Sequence, residues 1–434
     1  MAQNNVDSQY LALLQDIITN GVWKNTRSGM VKSVFGRTMR FNLKEGLPLL
    51  TTKKVYAKGI IYELLWFLSG NTNIKYLVDN NVHIWDDDSF RWFKTLDFKH
   101  LHREESYYDE EDKKMHTDVC GFYKLDYHVF DLDEDIDSAY AIVLDTDIEN
   151  ETPTTIEELK NLTKEQFIEY VRQNAWIHRY DMYQGRNVSD TKIYCFGDMG
   201  DIYGKQWRHY GVSGKDQIQN IINTLKTNPD DRRMVLSAWN PDVIDDIALP
   251  ACHMFATFWT RKLTNEERIG IWFNKHNIND EIFNHDSTKP FSENYCLFKQ
   301  YFHEKTLSLD ELMKKIDEEE IPTRELSCSF TMRSNDICCG NPFNVCQWGL
   351  LTEMFAHCCN MVTGELIYNG NDIHIYENHI ELAKKQLANN PNRYASPKLW
   401  LNPDVKNIDD FTYNDIKILD YQSYPSIKYP LSVG

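Results

Sequence analysis

The sequence predicts an α/β (α+β) fold, a mixed β-sheet core flanked by helices, in one domain of 434 residues interrupted by two insertions. Strand-like apolar runs recur at Val34–Asn42, MVLSAW, MFATFW and LSCSFTM. Segments with helical periodicity and start or stop signals lie among them. Two long polar stretches, Lys94–Asp190 and Arg261–Thr323, break this ordered pattern.

In chain order, a helix is expected near the N-terminus, followed by the Val34–Asn42 strand. A second helix runs from about Ala57 to Leu68, where Gly70-Asn71 stops it. The first insertion carries acidic runs (EESYYDEEDKK, DLDEDID, DTDIENE) and one plausible helix, TIEELKNLTKEQFIEYVRQNA. Its alternative is a separate small domain. MVLSAW and MFATFW read as strands, and the second insertion ends in the charged helix LDELMKKIDEEE. After the strand LSCSFTM, Pro342 with Asn341 before it marks a helix start. Glu377–Asn389 reads as a last amphipathic helix.

Hydrophobic residues make up 42% and aromatics 13%, enough for a substantial core. The net charge of -18 argues against nucleic acid or an anionic membrane as a partner of the whole surface, while leaving room for a local basic pocket. The opening MAQNNVDSQY lacks a secretory pattern, and GIIYELLWFL is too short to span a bilayer and contains Glu63. A cytoplasmic protein is expected. The 10 cysteines show neither disulfide spacing nor a CxxC pair, so reduced thiols are expected.

One cysteine stands apart. In ALPACH, Cys252 follows Pro250 and precedes His253, and NPDDRRMVLSAWN lies just upstream with Arg232 and Arg233. A lone cysteine is more often a small core residue than a nucleophile, but cations near a thiol favour thiolate. Arg333 beside Ser334, and Arg27 in NTRSG, suit bidentate recognition of a phosphate. Asn344 in GNPFN offers an acceptor and two donors, as an amide-like ring edge requires. His374 and Tyr376, two apart on a strand, share a face and suit sugar hydroxyls. No metal site is expected, because no third ligand stands at a recognisable spacing.

The ordered run of VFGRTMRFNL, PLLTTKK, YELLWFLSGNTN, HIWD, DIYGKQWRHYG, DDRRMVLSAWNP, ALPACH, RSND, GNPFNV, DIHIYENH and NPDVKNIDDFTYNDIKILDY resembles thymidylate synthase over roughly residues 8–93, 197–260 and 325–434. The resemblance implies that fold, with the two insertions atypical of it. It also implies one-carbon transfer from 5,10-methylenetetrahydrofolate to carbon 5 of dUMP in a homodimer with shared active sites, without nucleic acid or membrane as partner. By resemblance Cys252, Glu63, Tyr203 and Asp336 are catalytic: Cys252 adds to carbon 6, while Glu63 and Tyr203 serve proton transfer. Arg27, Arg333 and Ser334 bind the phosphate, with Arg232 and Arg233 reaching the neighbouring subunit's nucleotide. Asn344 reads uracil, and His374 and Tyr376 read the ribose. Ile84, Trp85, Leu249 and Phe343 contact the folate, Asp336 also binds the pterin, and Gly340 gives close approach.

Some positions depart from the family pattern. IWDDD places Asp88 where an aromatic cofactor contact is common, Met332 precedes Arg333 in place of glutamine, Thr257 replaces another glutamine, and the tail PLSVG ends in Gly434. These departures bear on which nucleophile quenches the methylene intermediate. Hydride gives dTMP, whereas water gives 5-hydroxymethyl-dUMP, the product of related bacteriophage hydroxymethylases. Asn344 favours uracil over cytosine, and thymidylate synthase is the preferred expectation. Deoxyuridylate hydroxymethylase is the second, and a catalytically idle nucleotide-binding scaffold the third.

Overall fold

The computed structural model describes residues 5–95, 161–183, 192–211, 213–276 and 308–430, with short strands at 106–109, 114–117, 138–143, 152–153 and 186–187. Most of the 94–190 stretch, the middle of the 261–323 stretch and the last four residues lie outside them.

The main sheet has six strands: β1 (Val22–Thr26), β2 (Gly29–Asn42), β3 (Val235–Ser237), β4 (His253–Lys262), β5 (Arg324–Asp336) and β6 (Val362–Tyr376). Their spatial order is β1-β2-β6-β5-β4-β3. β5 and β6 run parallel and the other neighbours antiparallel. Parallel neighbours need a crossover, and the helix Gly340–Cys358 supplies it. This helix is apolar on nearly all sides, since it lies between the sheet and the Ala57–Leu68 helix. Trp348 from it stacks on Phe330 of β5 with ring centroids 5.4 Å apart.

β2 begins at Gly29, earlier than the apolar run suggested, because β1 pairs with its leading half. MVLSAW contributes only Val235–Ser237. The N–H groups of Ala238 and Trp239 both turn to the carbonyl of Met254, at the irregularity between His253 and Phe255. The crossover helix starts two residues before Pro342, and the last predicted helix divides into a 3-10 turn, Glu377–His379, and the α-helix Ile380–Leu387.

The described part of TIEELKNLTKEQFIEYVRQNA forms the helix Lys164–Arg172, opened by a capping box between Thr163 and Gln166. Phe167 and Val171 from it are wholly buried in the main core. The second long polar stretch connects the antiparallel neighbours β4 and β5. Its described helices, Asn265–Lys275 and Leu309–Glu318, bury Phe273 against Leu312 and Ile316 in a small separate cluster. Arg261 ties this connection to the sheet, pairing with Glu267 and Glu325 at 2.7 Å each.

No disulfide forms among the described cysteines, and no described helix is long and apolar enough to cross a membrane. On β4, buried Ala256 and Phe258 alternate with Phe255 and Trp259, which remain 38% and 59% exposed. Val235 on β3 opposes Thr257 and adds to this outer apolar face.

Phe330 sits at the centre of the inner face, touching Trp348 and Tyr368. Phe330→Ala is expected to lower stability by about 3–5 kcal/mol. Urea unfolding should show this as a lower midpoint with an unchanged slope.

Candidate active site

Residues 248–252 form a loop that enters β4. Arg333, across from it on β5, holds that loop. Its Nε donates to the Ala251 carbonyl and its Nη2 to the Pro250 carbonyl, both at 2.8 Å, and its backbone N–H donates to the Cys252 carbonyl at 2.8 Å. Nη2 also lies 3.9 Å from the Cys252 sulfur. From the other side, the Cys252 N–H donates to the Tyr203 hydroxyl at 2.7 Å. Gly204 permits this placement: a Cβ there would sit 2.7 Å from the Phe67 carbonyl, so only glycine lets the Tyr203 helix approach the Ala57–Leu68 helix so closely.

Burial pushes the Cys252 thiol above its usual range, and Asp88 adds to the rise, while the Arg333 guanidinium and Tyr203 pull it back. His253 faces the other way, into the core. Its ring stacks on Tyr203 at 4.2 Å, and burial lowers its pKa to about 3. It is therefore neutral at ordinary pH, and its sequence neighbour Cys252 does not have it as a base.

Glu63 lies in the apolar Ala57–Leu68 helix, buried to 8% exposure. Its carboxylate accepts from Trp85 Nε1 at 2.6 Å and from Gln347 Nε2 at 2.9 Å. Burial outweighs both donors and raises its pKa from 4.5 to about 7. A group poised there can give and take a proton near neutrality. Trp85, expected at the folate, is itself buried, its ring 6.2 Å from that of Tyr203.

The amide of Asn344 is oriented by its surroundings. Asn335 Nδ2 donates to Asn344 Oδ1 at 3.3 Å, and Asn335 Oδ1 accepts from Asn341 at 2.6 Å and from the Tyr368 hydroxyl at 2.8 Å. The rings of His374 and Tyr376 meet at 5.4 Å on β6, as their spacing predicts. Burial is the main cause of the raised pKa of Tyr376, and Ser28 in the β1–β2 turn opposes the rise. Asp336 Oδ1 accepts the N–H groups of Cys338 and Cys339 at 2.8 and 3.2 Å. A Cβ on Gly340 would stand 3.4 Å from the Asn344 oxygen. Ile84, Leu249 and Phe343 are half-buried against the main core, and Ser334 is half-buried on β5.

The remaining arginines stand apart. Arg27 is exposed in the β1–β2 turn, and Arg232 and Arg233 are exposed before β3. Arg233 pairs with Asp231 at 2.7 Å. Among the described contacts, neither Arg232 nor Arg233 touches the Cys252 loop. Asp88, in the first turn of the Asp86–Thr95 helix, accepts from Arg91 at 2.6 Å. Burial raises its pKa, with Arg91 and the more distant Arg27 opposing the rise.

A model described as thymidylate synthase matches residues 8–272 and 300–433. The chain belongs to the thymidylate synthase family. Membership brings with it, at family level, one-carbon transfer to dUMP with methylenetetrahydrofolate as cosubstrate.

Sequence reasoning passed over Gln347 and Asn335, the two amides that hold Glu63 and Asn344. Gln347 had a signal: it lies one helical turn after Asn344, on the same face of the crossover helix. Asn335 had none beyond its place in RSND, because its partners come from the crossover helix and β6.

Glu63 makes stability depend on pH with a definite sign. The folded chain holds this proton up to about pH 7, whereas an ordinary glutamate releases it near 4.5. Raising the pH through that window therefore costs stability, by roughly 3 kcal/mol when complete. Glu63→Gln should gain on the wild type between pH 5 and pH 8 by an amount of that order, measured by urea unfolding at both values.

Proposed function

We propose that the protein transfers a one-carbon unit from 5,10-methylenetetrahydrofolate to carbon 5 of dUMP and completes the reaction by hydride transfer, giving dTMP and dihydrofolate. The observation that carries this reading is the Cys252 loop clamped by Arg333, with Tyr203 linking it to the wall that holds Glu63. The Cys252 thiolate adds to carbon 6 of uracil, which makes carbon 5 nucleophilic. Arg333 lowers the cost of that thiolate and, with Ser334 and Arg27, meets the phosphate. Asn344 reads the uracil edge, and His374 and Tyr376 bind the ribose. Glu63, with Tyr203, moves the proton that carbon 5 must lose. Ile84, Trp85, Leu249 and Phe343 face the folate, which Asp336 orients beside Gly340.

Homodimerisation fits the exposed apolar face of β3 and β4. In such a dimer Arg232 and Arg233 serve the neighbouring subunit's phosphate, which accounts for their distance from the Cys252 loop. The 94–190 and 261–323 stretches are read as insertions in one domain, and the cytoplasm as the site of action.

A second reading is 5-hydroxymethyl-dUMP formation, and Asp88 favours it. Its carboxylate stands where the family commonly has an aromatic cofactor contact, and a polar group there would attract water where hydride transfer needs a dry site. Incubation with dUMP and methylenetetrahydrofolate separates the readings. dTMP with dihydrofolate supports the first, and hydroxymethyl-dUMP without dihydrofolate supports the second. Failure to form a gel-stable adduct with 5-fluoro-dUMP and the folate would leave the idle scaffold.

Cys252→Ala should abolish that adduct and cut turnover at least about a thousandfold. Mixing Cys252→Ala with Arg232→Ala/Arg233→Ala protein should restore activity above that of either alone. No gain on mixing, with subunit exchange verified, would overturn the shared site.

A further inference from the structure

Where β5 ends, the chain turns through Asp336, Ile337 and Cys338 and is tied to β6 by the Ile337 N–H donating to the His374 carbonyl at 3.0 Å. The 3-10 turn after β6 brings His379 to the same place. Asp336, Cys338 and His379 each offer a ligand atom, and these atoms lie within 4.8 Å of one another. Cys338 and His379 are wholly buried. The turn at Asp336 uses Oδ1 for the two N–H groups of Cys338 and Cys339.

The second observation concerns the His379 ring. Nε2 bonds the Pro430 carbonyl at 2.6 Å, which fixes Nε2 as the protonated nitrogen. Nδ1 then carries the lone pair, and it is buried without a hydrogen-bond partner. A buried imidazole nitrogen is costly unless something occupies its lone pair. An imidazole whose other nitrogen donates to a backbone carbonyl has the arrangement of metal-ligating histidines. The Tyr429 hydroxyl, from the tail, donates to Gln386 Oε1 at 2.9 Å.

We propose that Asp336, Cys338 and His379 form a binding site for a divalent ion of the zinc class. Thiolate, imidazole and carboxylate together select such a borderline ion over calcium or magnesium, and three protein ligands leave a fourth position for water. Binding exchanges the Cys338 thiol proton for the metal, and the proton leaves to solvent. Lys53 opposes the ion, since its Nζ donates to the Cys338 carbonyl and brings a positive charge to the site. The sequence hid this cluster because His379 lies far along the chain from Asp336 and Cys338. The site shares Asp336 with the folate contact proposed above, and its test reads the metal directly rather than turnover.

The full chain, freed of metal under reducing conditions, is titrated with cobalt(II) and then zinc. The expected result is a thiolate-to-cobalt charge-transfer band that saturates at about one equivalent and is bleached by zinc. Cys338→Ser removes the band, and His379→Ala weakens binding at least about tenfold. Lys53→Met, which puts an apolar chain in a buried place, shifts saturation to lower cobalt concentration. A wild-type chain without the band overturns the proposal. So does a band undiminished in Cys338→Ser, which assigns it to other thiols. Should Cys338→Ser fail to fold, an unchanged cobalt affinity in Lys53→Met overturns it instead.

Discussion

Arg333 reaches from β5 across to the loop that enters β4 and donates to two consecutive carbonyls ahead of Cys252. Those carbonyls have no strand partner to satisfy them, because the antiparallel ladder begins only at His253 opposite Met332. One guanidinium therefore satisfies backbone that the sheet leaves over, and it sets a positive charge beside a sulfur that burial would otherwise keep protonated. A lysine would bring the charge without the planar fork that spans two carbonyls. The position of Cys252, and with it the candidate chemistry, depends on this contact.

The same economy appears around Glu63. A carboxylate in an apolar helix is tolerated because two neutral donors, the Trp85 indole and the Gln347 amide, approach it from different elements. Neither carries charge, so they orient the group without holding it ionised, and its pKa rests near neutrality. Two positively charged neighbours would have made a stable ion pair and a poor proton carrier. The aromatic packing of Trp66, Phe67, Trp85 and Tyr203 then joins this wall to the Cys252 loop. Mechanical support and electrostatic tuning come from the same rings.

The long connection between β4 and β5 is held to the sheet at its two ends. Its entry and exit lie on antiparallel neighbours, and Arg261 clamps the two ends through Glu267 and Glu325. Its described helices bury their own small cluster, separate from the main core. The helix Lys164–Arg172 behaves differently, since Phe167 packs among Phe90, Phe93 and Phe196. Part of the first polar stretch thus belongs to the body of the domain.

The sequence by itself determined the sheet-and-helix class and most core strands, and it singled out Cys252 as the candidate nucleophile, because apolar periodicity, Pro342 and the ALPACH setting are local signals. It also placed His374 and Tyr376 on one face, which strand geometry requires. What it left open was decided by contacts between distant segments. His253 was turned away from Cys252 by the alternation at the start of β4 and became a neutral core ring. Trp85 was recruited to Glu63, Asn335 to Asn344, and His379 to Asp336 and Cys338. Trp85 and Glu63 meet between helical segments, Asn335 meets Asn344 across the turn from β5 into the crossover helix, and His379 reaches Asp336 and Cys338 from beyond β6. A residue's type announces what bonds it can make, but its partner is selected by the register and packing that bring other parts of the chain beside it.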